Sequence, residues 1–171
     1  IEFLAVSPEV ISVRAWHYEG YRTGEARFEK KETTCDAVVT ITEHEAVLDA
    51  GRVSVHVDRK NLGYSFWADG KLLTSSGFHN LGYVRWDRSV SSMLPQDNYM
   101  KEHEYTPYMT QDLLLAPGEN VYGFGERFTA FVKNGQVVET WNEDGATASQ
   151  VAYKNIPFYM TNRGYGVFVD H

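Results

Sequence analysis

Apolar and polar residues alternate with a period of two along much of this chain. Phe3 and Ala5 alternate with Glu2 and Leu4. After Ser7-Pro8, the residues Ile11, Val13 and Ala15 share one side, and Ser12, Arg14 and Trp16 share the other. Val39 and Ile41 alternate with Thr40 and Thr42, and Val53, Val55 and Val57 alternate with Ser54 and His56. A period of two places successive side chains on opposite faces of a strand. Tyr64-Ser-Phe-Trp67 and Lys71-Leu-Leu-Thr74 flank Asp69-Gly70, a dipeptide that accepts the left-handed conformation of a tight hairpin turn. No stretch shows a convincing helical repeat of three turns. The nearest, Glu43 to Ala50, is too short and is bounded by β-branched runs. Many short strands with turn signals between them predict an all-β chain, an antiparallel β-sandwich with few or no helices.

The pattern weakens between Gly77 and Tyr108. Leu81 to Asp87 reads as a strand, and Arg88 to Asn98 is polar, contains Pro95 and has little periodicity. A long excursion over the sandwich surface is expected there. Order returns with Tyr108 to Leu115, closed by Ala116-Pro-Gly-Glu-Asn120, whose Pro-Gly pair fits a type II turn. From Val121 onward glycines, aromatics and carboxylates crowd together. Ile156, Phe158 and Met160 alternate with Asn155, Pro157 and Tyr159; Asn162-Arg-Gly164 supplies turn chemistry; Val167 and Val169 resume the alternation. That predicts a β-hairpin. Ahead of it lies a polar loop carrying Trp141 and Asp144, the kind of segment in which binding groups sit.

Composition narrows the function classes. A length of 171 residues is most simply one domain, 1–171, large enough to bury a core without disulfides. With 16 Lys plus Arg against 23 Asp plus Glu, the net charge is −7 and there is no basic block. Nucleic acid and anionic membrane are therefore poor partners. A single cysteine, Cys35, allows no internal disulfide, and no Asn-x-Ser/Thr sequon occurs. Both point to a cytoplasmic protein. No apolar run of about 18 residues predicts a membrane span. Ile1 to Val6 resembles a strand already under way, and the chain stops at His171 inside another. Both ends read as cut edges of something larger.

Each chemical motif has a plain structural alternative. Gly123-Phe-Gly125 lacks the third glycine of a phosphate-binding loop, Phe128 standing in its place, and no helix follows. A close backbone approach or a bulge explains it better. Glu43-His-Glu45 and Glu102-His-Glu104 are the densest histidine clusters. On a strand each histidine points away from its neighbouring carboxylates, so neither triplet is a ligand set, and no metal or other cofactor is expected. No Gly-x-Ser-x-Gly nucleophile elbow is present. Glu126 beside Arg127 has the look of a structural ion pair. Asp144 differs: it follows Trp141 and Asn142 and precedes Gly145, in a loop without apolar periodicity. Aromatic faces stack on the C–H surfaces of sugars, and carboxylates accept hydrogen bonds from sugar hydroxyls.

Three stretches carry a resemblance. Val121-Tyr-Gly-Phe-Gly-Glu-Arg-Phe-Thr129, Glu139-Thr-Trp-Asn-Glu-Asp-Gly145 and Tyr153 through Val167 closely resemble glycoside hydrolase family 31, nearest to its bacterial α-xylosidases. The match is dense from about Pro117 to His171. It is looser before Ala116, resting there on strand order, on Ile11-Ser-Val-Arg-Ala-Trp-His17 and on Gly82-Tyr83. The resemblance implies the N-terminal, galactose-mutarotase-like β-sandwich of a retaining α-glycosidase. In that family a (β/α)8 barrel follows and supplies both catalytic aspartates, so no residue here is assigned a catalytic role. The sandwich contributes a loop over the barrel mouth whose Trp/Phe-Asn-x-Asp motif matches Trp141-Asn142-Glu143-Asp144, with the aspartate touching the sugar. Asp144 and Trp141 are thus the candidate substrate-binding residues. The implied substrate is an α-xyloside or α-glucoside, and the implied partner is the barrel; an assembly role for the β-domain would add neighbouring subunits in a homo-oligomer. Upstream strands of the sandwich are expected to be missing before Ile1.

Other readings stay open at this level. A stand-alone carbohydrate-binding module would bind sugar without a barrel. A mutarotase-like epimerase would need a paired acid and base, which the sequence gives no reason to assemble. A purely structural or assembly β-domain would need no site at all.

Overall fold

A computed structural model describes residues 1–17, 35–87, 105–142 and 152–170. The described residues form twelve strands and no helix: β1 (Glu2–Ser7), β2 (Val10–Arg14), β3 (Val38–Ile41), β4 (Glu45–Asp49), β5 (Val53–Asp58), β6 (Tyr64–Ala68), β7 (Lys71–Ser76), β8 (Leu81–Asp87), β9 (Tyr105–Gln111), β10 (Val121–Gly123), β11 (Phe158–Thr161) and β12 (Gly166–Phe168). Every ladder between them is antiparallel. The chain is all-β, an antiparallel sandwich, as its alternation requires. The stretch nearest to helical, 43–50, contains strand β4. The described residues fall into two compact units, one up to Leu114 and one from Leu115 onward.

The first unit is built on a five-stranded meander, β3-β4-β5-β6-β7. Its register aligns Leu48, Val55 and Phe66 across three strands, and Ala46, Val57 and Tyr64 beside them. Cross-strand partners share a face, so one side of the sheet is apolar. The β1-β2 hairpin covers that side. It contacts β4 and β5, which are interior strands, so it lies across the face and not along an edge. Phe3 meets the Tyr64 ring edge-on at 5.0 Å. The Pro8 carbonyl accepts the amides of Arg52 and Val53 at 2.9 and 3.1 Å and ties the hairpin turn to the sheet. Between the layers Val55 is fully buried, with Ala50, Tyr64, Thr74 and Ser76 close to it in burial. Asp69 (φ 50°) and Gly70 (φ 71°) both adopt the left-handed conformation expected of the β6-β7 turn. β8 and β9 pair over seven residues, from Leu81 opposite Gln111 to Asp87 opposite Tyr105. The expected excursion from Arg88 to Asn98 lies outside the described residues. His17 and Tyr83, two residues of the looser resemblance, stack at 3.8 Å and 14°.

The second unit holds the sheet β10-β11-β12. Gly118 (φ 74°) and the Glu119 N–H donating to the Ala116 carbonyl at 3.0 Å give the type II turn before β10. The β11-β12 hairpin forms as predicted, with Gly164 (φ 86°) in its turn. It is shorter than the alternation suggested. Regular pairing begins at Phe158, because Pro157 has no N–H to donate. Asn162 in that turn links it to the earlier one. Its Oδ1 accepts from the Asn120 amide at 2.9 Å and its Nδ2 donates to the Gly118 carbonyl at 3.1 Å.

Candidate functional site

Two glycines bring residues 121–126 against residues 154–158. Gly123 (φ 121°) leaves no room for a side chain: a Cβ there would sit 2.7 Å from the Phe158 carbonyl oxygen. Gly125 (φ 83°) is tighter still, since a Cβ would overlap the Lys154 carbonyl. The Phe124 amide donates to Phe158 O at 2.9 Å and the Glu126 amide to Lys154 O at 3.0 Å. Gly-Phe-Gly is therefore a backbone-approach motif, as the missing third glycine indicated.

This approach delivers Arg127 to the root of the Trp141 loop. Its Nε donates to the Phe124 carbonyl at 3.2 Å, and its Nη2 donates to the Glu139 carbonyl and to Asn155 Oδ1. Burial pulls the guanidinium below its ordinary pKa. It stays charged all the same, because arginine does not lose its proton in proteins.

Asn155 is the other half of the junction. Its Nδ2 donates to the Trp141 carbonyl at 2.6 Å, to the Ala152 carbonyl at 2.7 Å and to Asn142 Oδ1 at 3.0 Å. Two N–H bonds thus serve three acceptors, so one is shared. The Asn155 amide also donates to Asn142 Oδ1 at 3.1 Å, and Asn142 forms a parallel bridge with Ala152. One side chain therefore holds both chain segments, 141–142 and 152, side by side. The backbone of Trp141 is held while its side chain is not covered: the residue is 74% exposed. Asp144 lies outside the described residues.

The structure corrects the reading of Glu126. Its carboxylate pairs with Lys154 at 3.2 Å, 28 residues away, while its neighbour Arg127 turns to carbonyls and Asn155. The ion pair is structural, with a different partner. Beside it a cleft of about 320 Å³ is lined by Gly125, Glu126, Arg127, Phe128, Tyr153 and Lys154, among others. Phe128 and Tyr153 are both largely exposed. Sequence reasoning passed over Asn155 because it fell on a position of the predicted hairpin alternation. Its place in Tyr153-Lys-Asn-Ile-Pro-Phe158, one of the stretches carrying the resemblance, was the available signal.

The outer face of the five-stranded sheet assembles a second arrangement that linear motifs did not foretell. Ser54 Oγ lies 3.2 Å from His56 Nε2, and His56 Nδ1 lies 3.0 Å from Glu45 Oε1. The order hydroxyl, imidazole, carboxylate is that of a nucleophile triad. Strand β5 is interior, so its amides are committed to the ladders on either side and none is left to stabilise an oxyanion. Among the described residues no cluster of three or more His, Cys, Asp or Glu is arranged to hold a metal.

Comparison with known proteins follows the same lines. The profile described as the glycosyl hydrolase 31 N-terminal galactose mutarotase-like domain matches residues 1–171. An α-xylosidase of Emericella nidulans is 44% identical over 125 residues, covering 70% of this chain and 16% of that protein. The α-xylosidase XylQ of Lactiplantibacillus pentosus is 37% identical over 162 residues, covering 94% of this chain and 19% of that protein. The chain thus spans less than a fifth of the curated relatives it matches. Among solved structures, a dextranase of Flavobacterium johnsoniae superposes over 99% of this chain and 19% of its own with a TM-score of 0.67 at 18% identity. An α-xylosidase of Xanthomonas citri covers 89% of this chain and 15% of its own with a TM-score of 0.64 at 17% identity. These structures share the fold. With the profile running its whole length and a relative of 37% identity covering nearly all of it, the chain belongs to the N-terminal galactose mutarotase-like domains of glycosyl hydrolase family 31.

Proposed function

We propose that this chain is the sandwich domain of a retaining α-glycosidase acting on terminal α-xylosyl or α-glucosyl residues, and that it supplies a substrate-binding loop without catalytic groups. The observation that carries this reading is the junction at Asn155, which holds the Trp141 backbone and leaves the indole exposed. An exposed aromatic on a braced backbone suits stacking on a sugar ring. Asp144, three residues further on, would accept hydrogen bonds from the sugar hydroxyls. Two of the curated relatives, at 44% and 37% identity, are named α-xylosidases, which favours xylose.

In such an enzyme one barrel carboxylate attacks the anomeric carbon and forms a glycosyl-enzyme. A second carboxyl group protonates the leaving oxygen and then activates water. The loop's contribution is orientation of the sugar, realised as binding and positioning. The sandwich packs against the barrel of the same parent chain and against neighbouring copies in a homo-oligomer, and the enzyme works in the cytoplasm.

The test is hydrolysis of aryl α-xyloside and aryl α-glucoside by the full-length product, with Asp144→Asn beside it. Xyloside cleavage that falls in the variant supports the reading. Activity indifferent to Asp144 removes that residue from the site. No cleavage of either substrate, with sugar binding by the isolated chain in calorimetry, favours a stand-alone binding module.

A further inference from the structure

We infer that Asn155, braced by Arg127, is a positioning residue for sugar recognition, acting through the backbone of Trp141. The inference rests on the glycosidase reading and deepens it. Asn155 Nδ2 reaches Trp141 O at 2.6 Å, Ala152 O at 2.7 Å and Asn142 Oδ1 at 3.0 Å, so a single amide joins segments that are 11 residues apart in sequence. Arg127 fixes the amide's orientation by donating to Asn155 Oδ1, which forces Nδ2 toward the carbonyls. The same guanidinium holds Glu139 O, two residues before Trp141, and Phe124 O, placed by the strained Gly123-Phe-Gly125 turn. Phe124 itself has φ 67°, uncommon for a residue with a side chain. Strain, charge and amide geometry all converge on the backbone position of one exposed indole.

A stacking group helps only where its ring meets the sugar, and displacement by about 1 Å loses most of that contact. The exposed Trp141 side chain has little packing of its own to hold it, being 74% exposed. Its backbone anchor therefore decides where the ring stands. The substituted amide is not itself expected to touch sugar, since its hydrogen-bonding atoms are engaged with the protein.

Asn155→Asp in the full-length product tests this. The variant keeps an oxygen for Arg127 and removes every Nδ2 donor. In the expected result KM for aryl α-xyloside rises about tenfold while kcat stays within about threefold, the signature of lost uniform binding. Trp141→Ala should raise KM as well, and the double variant should be no worse than Trp141→Ala alone, because the amide acts only through the indole. Fluorotryptophan labelling gives a readout besides activity. The fluorine resonance assigned to Trp141 by its loss in Trp141→Phe should shift or broaden in Asn155→Asp, with the other tryptophan resonances unmoved. If Asn155→Asp does not fold, Arg127→Lys keeps the cation and loses the fork, and the same pattern is expected at smaller size. Additive effects, or an unmoved Trp141 resonance, overturn the positioning role and leave the glycosidase reading standing. A KM indifferent to Trp141→Ala overturns both the stacking role and the positioning role. Absence of any glycoside cleavage by the unsubstituted product overturns the underlying reading together with the inference.

Discussion

Gly125 lies flat against the carbonyl of Lys154, so close that a Cβ would overlap that oxygen and stand 2.9 Å from the Ile156 nitrogen. Both obstacles are backbone, with no flexible side chain to give way, and the position also needs a positive φ of 83°. Gly125→Ala should therefore destabilise the chain by about 3 kcal/mol or more. Gly118 makes the comparison: it has φ 74° but nothing within 4 Å of a built Cβ. Gly118→Ala carries only the conformational cost, about 1 kcal/mol. Denaturant midpoints of the two variants separate contact from conformation, and equal losses would contradict the assignment.

Glu119 should make stability depend on acid pH. The carboxyl is almost wholly buried, which opposes ionisation, yet Tyr165, the Ala116 amide at 2.8 Å, Thr161 and Arg163 at 3.8 Å together hold its pKa below the usual carboxylate value. A folded pKa below the unfolded one means the ionised form favours the native state. That stabilisation is complete above the unfolded pKa, about 4.3, and is lost as pH falls through the folded value. Tm of the unsubstituted chain should exceed that of Glu119→Gln at neutral pH, and the gap should close below about pH 4. A gap independent of pH would mean the charge is irrelevant.

Val55 is the centre of the two-layer packing. It is 0% exposed, whereas Val137 in the second unit is 95% exposed. Removing two buried methyl groups leaves a cavity, and Val55→Ala should cost about 2 kcal/mol. Val137→Ala should stay within about 0.5 kcal/mol. Thermal unfolding of both variants checks the depth of the core.

Ser54, His56 and Glu45 should remain chemically silent despite their order. Attack on an ester needs donors for the developing oxyanion, and the ladder amides around Ser54 are already used. Hydrolysis of an aryl acetate should stay at the level of free imidazole and be the same in Ser54→Ala. Turnover that depends on Ser54 would assign this face an acyl-transfer activity.

The chain by itself should cleave no glycoside. On the proposed reading, both carboxylates of a retaining mechanism come from a barrel and the 171-residue chain contributes only a sugar-orienting loop. Release of aryl alcohol from α-xyloside by the purified 171-residue chain, free of host glycosidase, would refute this.

Legibility in the sequence followed the range of the physics involved. Alternation is local, so β2, β5, the β6-β7 hairpin and β12 could be read from neighbours two residues apart. Turn chemistry is local too: Asp69-Gly70, Pro117-Gly118 and Gly164 adopt the conformations their residue types favour. Where Pro157 interrupts the ladder, alternation alone overran the strand, since a side-chain pattern does not register a missing N–H.

Pairing across long separations was another matter. Which carboxylate meets which cation was misjudged at Glu126, because adjacency in the chain says little about facing: residues 126 and 127 diverge, and Lys154 arrives from 28 positions away. Ser54, His56 and Glu45 came together through strand register, a property of the sheet and not of any one strand. The all-β class and the hairpin turns were determined by the sequence, because each depends on residue type and short spacing. The junction of Arg127, Asn155, Asn142 and Ala152 was decided only by tertiary structure, because a side-chain amide takes its partners from whatever carbonyls the folded backbone brings within about 3 Å.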